Sequence, residues 1–227
     1  MKTLGLTLCV LCLSGCATFG RVAYSSPTVD EAGGVRHVPP RESAVAMDIK
    51  GGGSIQVDLF TFRFAGLAGL LLPIIPYAGR DMGSEDLLHV TLWLSQHPEP
   101  LVVDPSAITL SVDGGSTMKP VCAIKSVSSR GNGARDYVYL ARSDVSGRCE
   151  RGLFGGETSS FAMGPPTDSV ASNDYRTYEL FYPIRFDEPR PLLLRIDGIS
   201  SGSGVVALPA LRYERESRWR FYFGAPF

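Results

Sequence analysis

Apolar and polar residues alternate with a period of two along much of the chain, the spacing that sends successive side chains of a β-strand to opposite faces. The alternation is clearest at residues 178–186 and is also present at residues 55–59 and 88–94. Further short strands are predicted at residues 108–112, 137–141, 192–196 and 205–208, and along the C-terminal run 211–223. No helical period extends beyond a turn or two, so the pattern predicts a chain made mainly of strands.

A turn signal follows the strand predicted at residues 108–112. The sequence Asp113-Gly114-Gly115 is typical of a tight β-hairpin, because aspartate and glycine tolerate the left-handed backbone conformation that such turns require. The return strand is expected to run through Met118, Cys122 and Ile124.

Several short strands separated by turns predict an antiparallel, immunoglobulin-like β-sandwich, in which each sheet buries every second residue. The span 43–227 is long for one such domain, so loop insertions are expected at residues 63–86 and 142–175. The high content of turn formers, 25 glycines and 16 prolines, agrees with many short strands.

Two places interrupt the alternation. Phe60, Phe62 and Phe64 continue the apolar pattern on the opposite parity to residues 55–59, which predicts a bulge or a strand buried on both faces. In the C-terminal run, Arg215 and Ser217 occupy positions of the apolar face, which predicts a turn or bulge there. The charged face of the same run is interpreted as solvated.

The N-terminus has the parts of an export signal. Lys2 supplies a positive charge, and an apolar stretch over residues 4–13 is too short to cross a bilayer as a helix. This stretch ends in Leu13-Ser14-Gly15-Cys16, an aliphatic residue and two small residues before a cysteine. The motif resembles the lipobox of bacterial lipoproteins of Gram-negative type and covers the first sixteen residues of the chain.

The resemblance implies a domain organisation and a location. Residues 1–15 would be a cleaved signal peptide, and acylated Cys16 would anchor the chain in a bilayer, with residues 16–42 as a flexible tether and 43–227 as the β-sandwich domain. In similar enterobacterial lipoproteins, aspartate after the acylated cysteine favours the inner membrane. Ala17 in that position implies an outer-membrane lipoprotein that faces the periplasm.

The cysteines divide between the signal and the domain. Cys9 and Cys12 would leave with the signal peptide, and Cys16 would carry lipid, which leaves Cys122 and Cys149 in an oxidising compartment. A disulfide between these two is predicted, with two buried thiols or a metal pair as alternatives. A zinc site is disfavoured because zinc prefers four ligands and no histidine lies nearby in sequence.

A possible catalytic motif is interpreted as structural. Residues 198–202 match the G-x-S-x-G pattern of α/β-hydrolases, with Ser200 as the nucleophile. The histidines are His37, His89 and His97, so none follows the serine, and no helix is predicted after it. A glycine- and serine-rich loop between strands is the favoured interpretation.

Two further sets of residues are weighed in the same way. Ser116 and Lys119 match an S-x-x-K pattern that needs one helical turn, but they lie between a glycine turn and Pro120. His89 and His97 could be ligands on one strand face, although a histidine on a half-buried sheet is more often structural. No metal site, cofactor or catalytic residue is predicted.

An apolar segment at residues 64–79 carries no charge, and its length, with Pro73 and Pro76, argues against a membrane span. It is interpreted either as a loop or strand folded over the sandwich core or as an exposed loop that contacts a partner or the bilayer. Similar apolar stretches occur in small envelope lipoproteins, a resemblance that covers this segment alone. The residues predicted for such a contact are Leu70, Leu71, Leu72, Ile74 and Ile75.

These features predict a membrane-anchored, non-catalytic envelope lipoprotein that binds or scaffolds an envelope protein. The alternative is a periplasm-facing hydrolase that acts on cell-wall or lipid material. A net charge of −1 gives no basic surface for nucleic acid, so the expected partners are the bilayer, through Cys16, and another envelope protein.

Overall fold

The computed structural model describes residues 17–28, 33–39, 41–61, 63–69, 75–80, 87–95, 97–127, 134–140, 168–170, 176–184 and 190–223. Most of these residues lie in β-strands, and within these ranges there is no α-helix. The strands are β1 (Ala17–Pro27), β2 (Val35–His37), β3 (Ala44–Asp48), β4 (Ser54–Phe60), β5 (Arg63–Gly69), β6 (Ile75–Arg80), β7 (Leu88–Leu94), β8 (Leu101–Val103), β9 (Ile108–Val112), β10 (Thr117–Met118), β11 (Cys122–Val127), β12 (Ala134–Leu140), β13 (Asp168–Val170), β14 (Arg176–Tyr182), β15 (Leu192–Ile196), β16 (Ile199–Ser201), β17 (Gly204–Val205) and β18 (Leu211–Phe223).

The strands form three antiparallel sheets. Sheet A has the order β10-β9-β15-β18-β1-β5-β6, sheet B has the order β12-β11-β14-β7-β4-β3-β2, and the smaller sheet C has the order β13-β8-β16-β17. One apolar core joins the three sheets. The predicted immunoglobulin-like β-sandwich is therefore confirmed at the level of antiparallel sheets packed around a common core.

The core follows the alternation seen in the sequence. Alternate residues of β4 and β7 in sheet B face inward, as do alternate residues of β9 and β15 in sheet A. The buried hydroxyl of Tyr182, on β14, donates to the carbonyl oxygen of Ile108, on β9, at 3.0 Å and ties the two large sheets together. Each fully buried Leu, Ile or Val contributes about 1.5–3 kcal/mol from apolar surface removed from water.

The change of parity after residue 59 marks a change of sheet. β4 ends at Phe60 in sheet B, and β5 begins at Arg63 in sheet A, so the chain crosses between sheets where a bulge or doubly buried strand was predicted. Residues 63–86 are not simply an insertion, because β5 and β6 pair with each other and β5 pairs with β1. Of the insertion predicted at residues 142–175, only β13 lies in the described ranges.

The predicted hairpin is confirmed at its turn but not along its return strand. Asp113 and Gly114 both have positive φ, 49° and 72°, and β10 pairs with β9 as expected. Met118 ends β10, however, and Cys122 begins β11 in sheet B. The segment between them includes Pro120, which cannot donate a ladder hydrogen bond, and there the chain passes from one sheet to the other.

The predicted tether is wrong for residues 17–27. These residues form β1, which pairs with β18 along its whole length, from Ala17 opposite Phe223 to Pro27 opposite Tyr213, and also pairs with β5. The turn or bulge predicted near residues 215–217 is also absent, because β18 is continuous. The two corrections have one cause, since β1 supplies the hydrogen-bonding partner that keeps β18 extended.

Asp58 places a carboxylate on β4 with only 1% of its surface exposed. The guanidinium of Arg41 and the hydroxyl of Ser43, which donates at 2.5 Å, both bind this carboxylate. A buried carboxylate is tolerated only when such partners replace the water it has lost. The segment before β3 is therefore held against sheet B by a charge that cannot easily be left unpaired.

We expect Arg41→Met to lower the free energy of unfolding by about 2 kcal/mol, since it leaves the buried carboxylate of Asp58 without its cation. Urea denaturation followed by circular dichroism measures the change. Arg36→Met is the matched control, because Arg36 pairs with Asp48 at 2.6 Å where both side chains are more than half exposed. The control is expected to change stability by less than about 1 kcal/mol, and equal losses would contradict this account.

Candidate functional site

The predicted acylation residue, Cys16, lies immediately before the first described strand. Its neighbour Ala17 begins β1 and is opposite Phe223 of β18 on one side and Gly69 of β5 on the other. Residue 16 therefore adjoins the end of a strand inside sheet A and not a long free linker. Cys16 itself lies outside the described residues.

Three large aromatic side chains are exposed beside that end of sheet A. Phe19 is 48% exposed, Trp219 is 65% exposed and Phe221 is 55% exposed. The rings of Phe19 and Trp219 stack with centroids 5.1 Å apart and planes 16° apart, and Phe19 and Phe221 have centroids 6.5 Å apart. We call these three residues the aromatic patch.

The register explains why the rings meet. Phe19 is opposite Phe221, and Arg21 is opposite Trp219, so all four belong to positions of one parity on neighbouring strands. The next pair of the same parity is Ala23 with Ser217. With increasing distance from residue 16, the surface therefore carries an aromatic pair, then an arginine beside a tryptophan, and then two small residues.

Arg21 sits at the border of the aromatic patch. Its guanidinium donates to the hydroxyl of Ser217 from Nη2 at 2.9 Å and from Nε at 3.2 Å. A serine hydroxyl is neutral, and within the described part of the chain Arg21 forms no ion pair. Its positive charge is thus held in place but not neutralised.

Residues of the other parity form an ion-pair cluster. Glu42 accepts from both Arg218, at 3.2 Å, and Arg220. The hydroxyl of Tyr24 donates to Glu216 at 3.0 Å, and the guanidinium of Arg218 lies over the ring of Tyr24 at 5.1 Å. Glu42 and Glu216 thus pair with Arg218 and Arg220 on this side of the strands.

The contact predicted from the apolar segment falls largely outside the described residues. Ile75 begins β6, where its backbone is opposite Ala68 of β5. The remaining predicted contact residues lie outside the described ranges: Leu70, Leu71, Leu72 and Ile74. The backbone shows that part of this segment forms two paired strands, β5 and β6, of which β5 also pairs with β1.

The G-x-S-x-G pattern occupies a close approach between two chain segments. A Cβ atom on Gly198 would overlap the carbonyl oxygen of Asp104, and the amide of Asp104 donates to the carbonyl of Gly198 at 2.7 Å. Ser200 lies in β16, opposite Val205 of β17, and not at a strand-to-helix turn. Among the described residues the Ser200 hydroxyl has no hydrogen bond to a histidine.

The two candidate histidines lie in different surroundings. The ring of His89 stacks on Phe181 with centroids 4.7 Å apart, and its Nε2 lies 3.4 Å from Glu179 Oε2. His97 is 6% exposed, and its Nδ1 lies 2.8 Å from the carbonyl oxygen and 3.1 Å from the amide nitrogen of Glu99. Its Nε2 is buried and has no hydrogen-bond partner in the described ranges. The two rings do not form a joint site.

Glu99 stabilises the turn between β16 and β17. The amide of Ser203 donates to its Oε2 at 3.0 Å. This bond and the hydroxyls of Ser203 and Ser201 lower the pKa of the Glu99 carboxyl. The groups that lower this pKa belong to Ser201 and Ser203 and not to Ser200, the candidate nucleophile.

The remaining candidate residues add no reactive centre. Ser116 and Lys119 flank the extended strand β10 and so do not share a helical turn. Cys122 is 2% exposed in β11, while Cys149 lies outside the described ranges, and the pairing of the two stays a prediction. Across the described ranges, no three metal-binding side chains come together. No helix in those ranges is long and apolar enough to span a membrane.

Comparison with known proteins does not assign the chain to a family. No family model matches the sequence, and no characterised protein matches it. A crystal structure of the collagen adhesin (CNA) from S. aureus aligns with 92% of this chain and 84% of that chain, at 7% identity and a TM-score of 0.30. A similarity of this size carries no argument about this chain.

Sequence reasoning did not find the aromatic patch as a unit. Trp219 and Phe221 were assigned to an apolar strand face, and Phe19 was placed in a tether. Val22 and Tyr24, at alternate positions between Arg21 and Ser25, were a weak signal for a strand, but they lie among small and polar residues. Only the pairing of β1 with β18 brings the three rings together.

We expect Gly198→Ala to unfold the protein at lower urea concentration than wild type, because its methyl group meets the Asp104 carbonyl. Ser200→Ala is the matched variant and is expected to change stability by less than about 0.5 kcal/mol, since it removes a half-buried hydroxyl without creating a clash. Denaturation curves of the two variants measure the difference. A fully stable Gly198→Ala protein would contradict a structural role for the motif.

Proposed function

We propose that this chain is a membrane-anchored, non-catalytic lipoprotein of the bacterial envelope that binds or scaffolds an envelope partner. The observation that carries the proposal is the position of residue 16, the predicted acylation site, directly before a strand of sheet A. Acyl chains on this residue would hold the folded domain at the membrane without a long linker between them. The proposed location is the outer membrane, facing the periplasm, because Ala17 follows the cysteine.

The anchoring has a physical basis in the acyl chains. Each buried methylene contributes about 0.8 kcal/mol, so two or more chains give stable attachment. The strand that follows the anchor is hydrogen-bonded on both edges, to β18 and to β5, which leaves little free chain between the bilayer and the domain. A binding surface on the domain would therefore act close to the membrane.

The candidates for catalysis favour the non-catalytic proposal. Ser200 lies in a strand, and the nearby serines Ser201 and Ser203 bind the carboxylate of Glu99. A serine hydrolase needs its nucleophile within hydrogen-bonding reach of a base, and an exposed groove for the substrate. A disulfide between Cys122 and Cys149 is proposed as a structural element, in keeping with an oxidising compartment.

We expect the chain to incorporate radiolabelled palmitate when it is produced in a Gram-negative host. The Cys16→Ser variant should lose the label, because Cys16 is the cysteine of the proposed lipobox. Cys12→Ser is the matched control, since it changes a cysteine within the signal and should keep the label. Mass spectrometry of the N-terminal peptide identifies the acylated residue. Label retained in Cys16→Ser would overturn the proposed anchor.

We also expect chemical crosslinking in the intact envelope to recover a discrete partner protein with the wild-type chain. The partner should be lost in the triple variant Leu70→Asp, Leu71→Asp, Leu72→Asp, because three carboxylates cannot be buried in an apolar interface. Val205→Asp is the control, since Val205 is 77% exposed in β17 of sheet C. A folded wild-type protein that yields no partner would count against a scaffolding role.

A further inference from the structure

Exposed aromatic rings of this size call for a partner surface. Among the residues whose side chains the structure describes, the other large apolar side chains with high exposure are Val102 and Val205, both on sheet C. The aromatic patch differs because its three rings are in contact and form one apolar surface. Clusters of this kind mark an interaction site, whereas single exposed residues do not.

The distance from the proposed anchor fits a bilayer surface. Phe19 is three residues after Cys16, and at about 3.3 Å per residue an extended strand places it about 10 Å away. Amphipathic surfaces bury their apolar side chains about 5–10 Å into the boundary between headgroups and acyl chains. A chain held by lipid on residue 16 therefore cannot keep Phe19 far from this boundary.

The order of residues along the strands matches the order of layers at a membrane. The pair Phe19 and Phe221 is nearest the anchor, the pair Arg21 and Trp219 follows, and Ser217 lies beyond them. Tryptophan favours the membrane–water interface, because its ring is apolar and its N–H can bind polar groups. Aromatic, then cationic, then small polar residues correspond to the acyl boundary, the phosphates and water.

Charge complementarity favours a bilayer over a protein surface as the occupant. On the opposite face, Arg218 pairs with Glu42 and Glu216, and Arg220 pairs with Glu42. Arg21, at the edge of the aromatic patch, is held only by a neutral hydroxyl and can donate to a phosphate. A cation with no ion pair among the described residues thus lies at the edge of the aromatic patch, where it would meet lipid headgroups.

We infer that the aromatic patch lies in the headgroup–acyl boundary of the bilayer that holds the anchor and, with Arg21 at the phosphates, fixes the orientation of the domain. This inference rests on the proposed acylation of Cys16. The acyl chains supply most of the attachment, and the patch decides which side of the sandwich faces the membrane.

The test uses the tryptophan of the aromatic patch as a probe. The chain has two tryptophans, Trp93 and Trp219, so Trp93→Phe leaves only Trp219 to fluoresce. The acylated protein is placed in vesicles of phosphatidylethanolamine and phosphatidylglycerol that carry nitroxide-labelled lipid. Mass spectrometry of the same sample reports acylation. If Trp93→Phe does not fold, the difference between wild type and Trp219→Phe isolates the same signal.

We expect the fluorescence emission of Trp219 to shift to shorter wavelength and to be quenched by nitroxide near the lipid headgroup. We also expect it to resist quenching by acrylamide dissolved in the water. Trp93, measured in Trp219→Phe, should show none of these changes. The double variant Phe19→Ser, Phe221→Ser should restore acrylamide quenching of Trp219 while acylation remains. Val205→Ser is the matched control and should leave the quenching unchanged.

The possible failures separate the two proposals. An unacylated protein overturns both the proposed anchor and this inference. If the protein is acylated but acrylamide quenches the fluorescence of Trp219, the inference alone is overturned. Protection from acrylamide without quenching by nitroxide lipid also overturns it, and would assign the aromatic patch to a second copy of the chain or to another protein.

Discussion

The pairing of β1 with β18 is the constraint on which sheet A depends. It joins eleven residues at the start of the described chain to eleven at its end, from Ala17 opposite Phe223 to Pro27 opposite Tyr213. Without it, β5 and β6 would lose their link to the rest of the sheet, since β5 reaches β18 only through β1. The pairing spans nearly the whole sequence, so sheet A cannot be completed until the C-terminal strand is available.

The same pairing sorts charges and rings to opposite sides of two strands. Alternate side chains of a strand point in opposite directions, so one parity carries the aromatic patch with Arg21 and the other carries Arg218 and Arg220 with Glu42. On the charged side, Arg218 and Arg220 pair with carboxylates of this chain. The aromatic side remains exposed, and it does so beside the residue proposed to carry lipid. Anchoring and orientation would thus arise from one structural element.

The residues of the candidate catalytic and ligand-binding motifs have structural roles. Gly198 permits contact with the backbone of Asp104, and the serines of the following turn bind Glu99. The ring of His89 packs on Phe181 between neighbouring strands. Buried polar groups need partners, and here these partners come from adjacent turns and strands. A motif match in such a protein therefore carries weight only when its local structure agrees with the chemistry.

Local pattern was sufficient for most strands, for the turn at Asp113 and Gly114, and for the lipobox that predicts an anchor at Cys16, because side-chain alternation and left-handed turns are properties of neighbouring residues. Tertiary structure alone decided that residues 17–27 form a strand, that the chain changes sheet after Phe60, and that Phe19 meets Trp219. The physical reason is that a weakly patterned strand takes its hydrogen bonds from another strand. For β1 that partner, β18, lies about two hundred residues away, where no local pattern can reveal it.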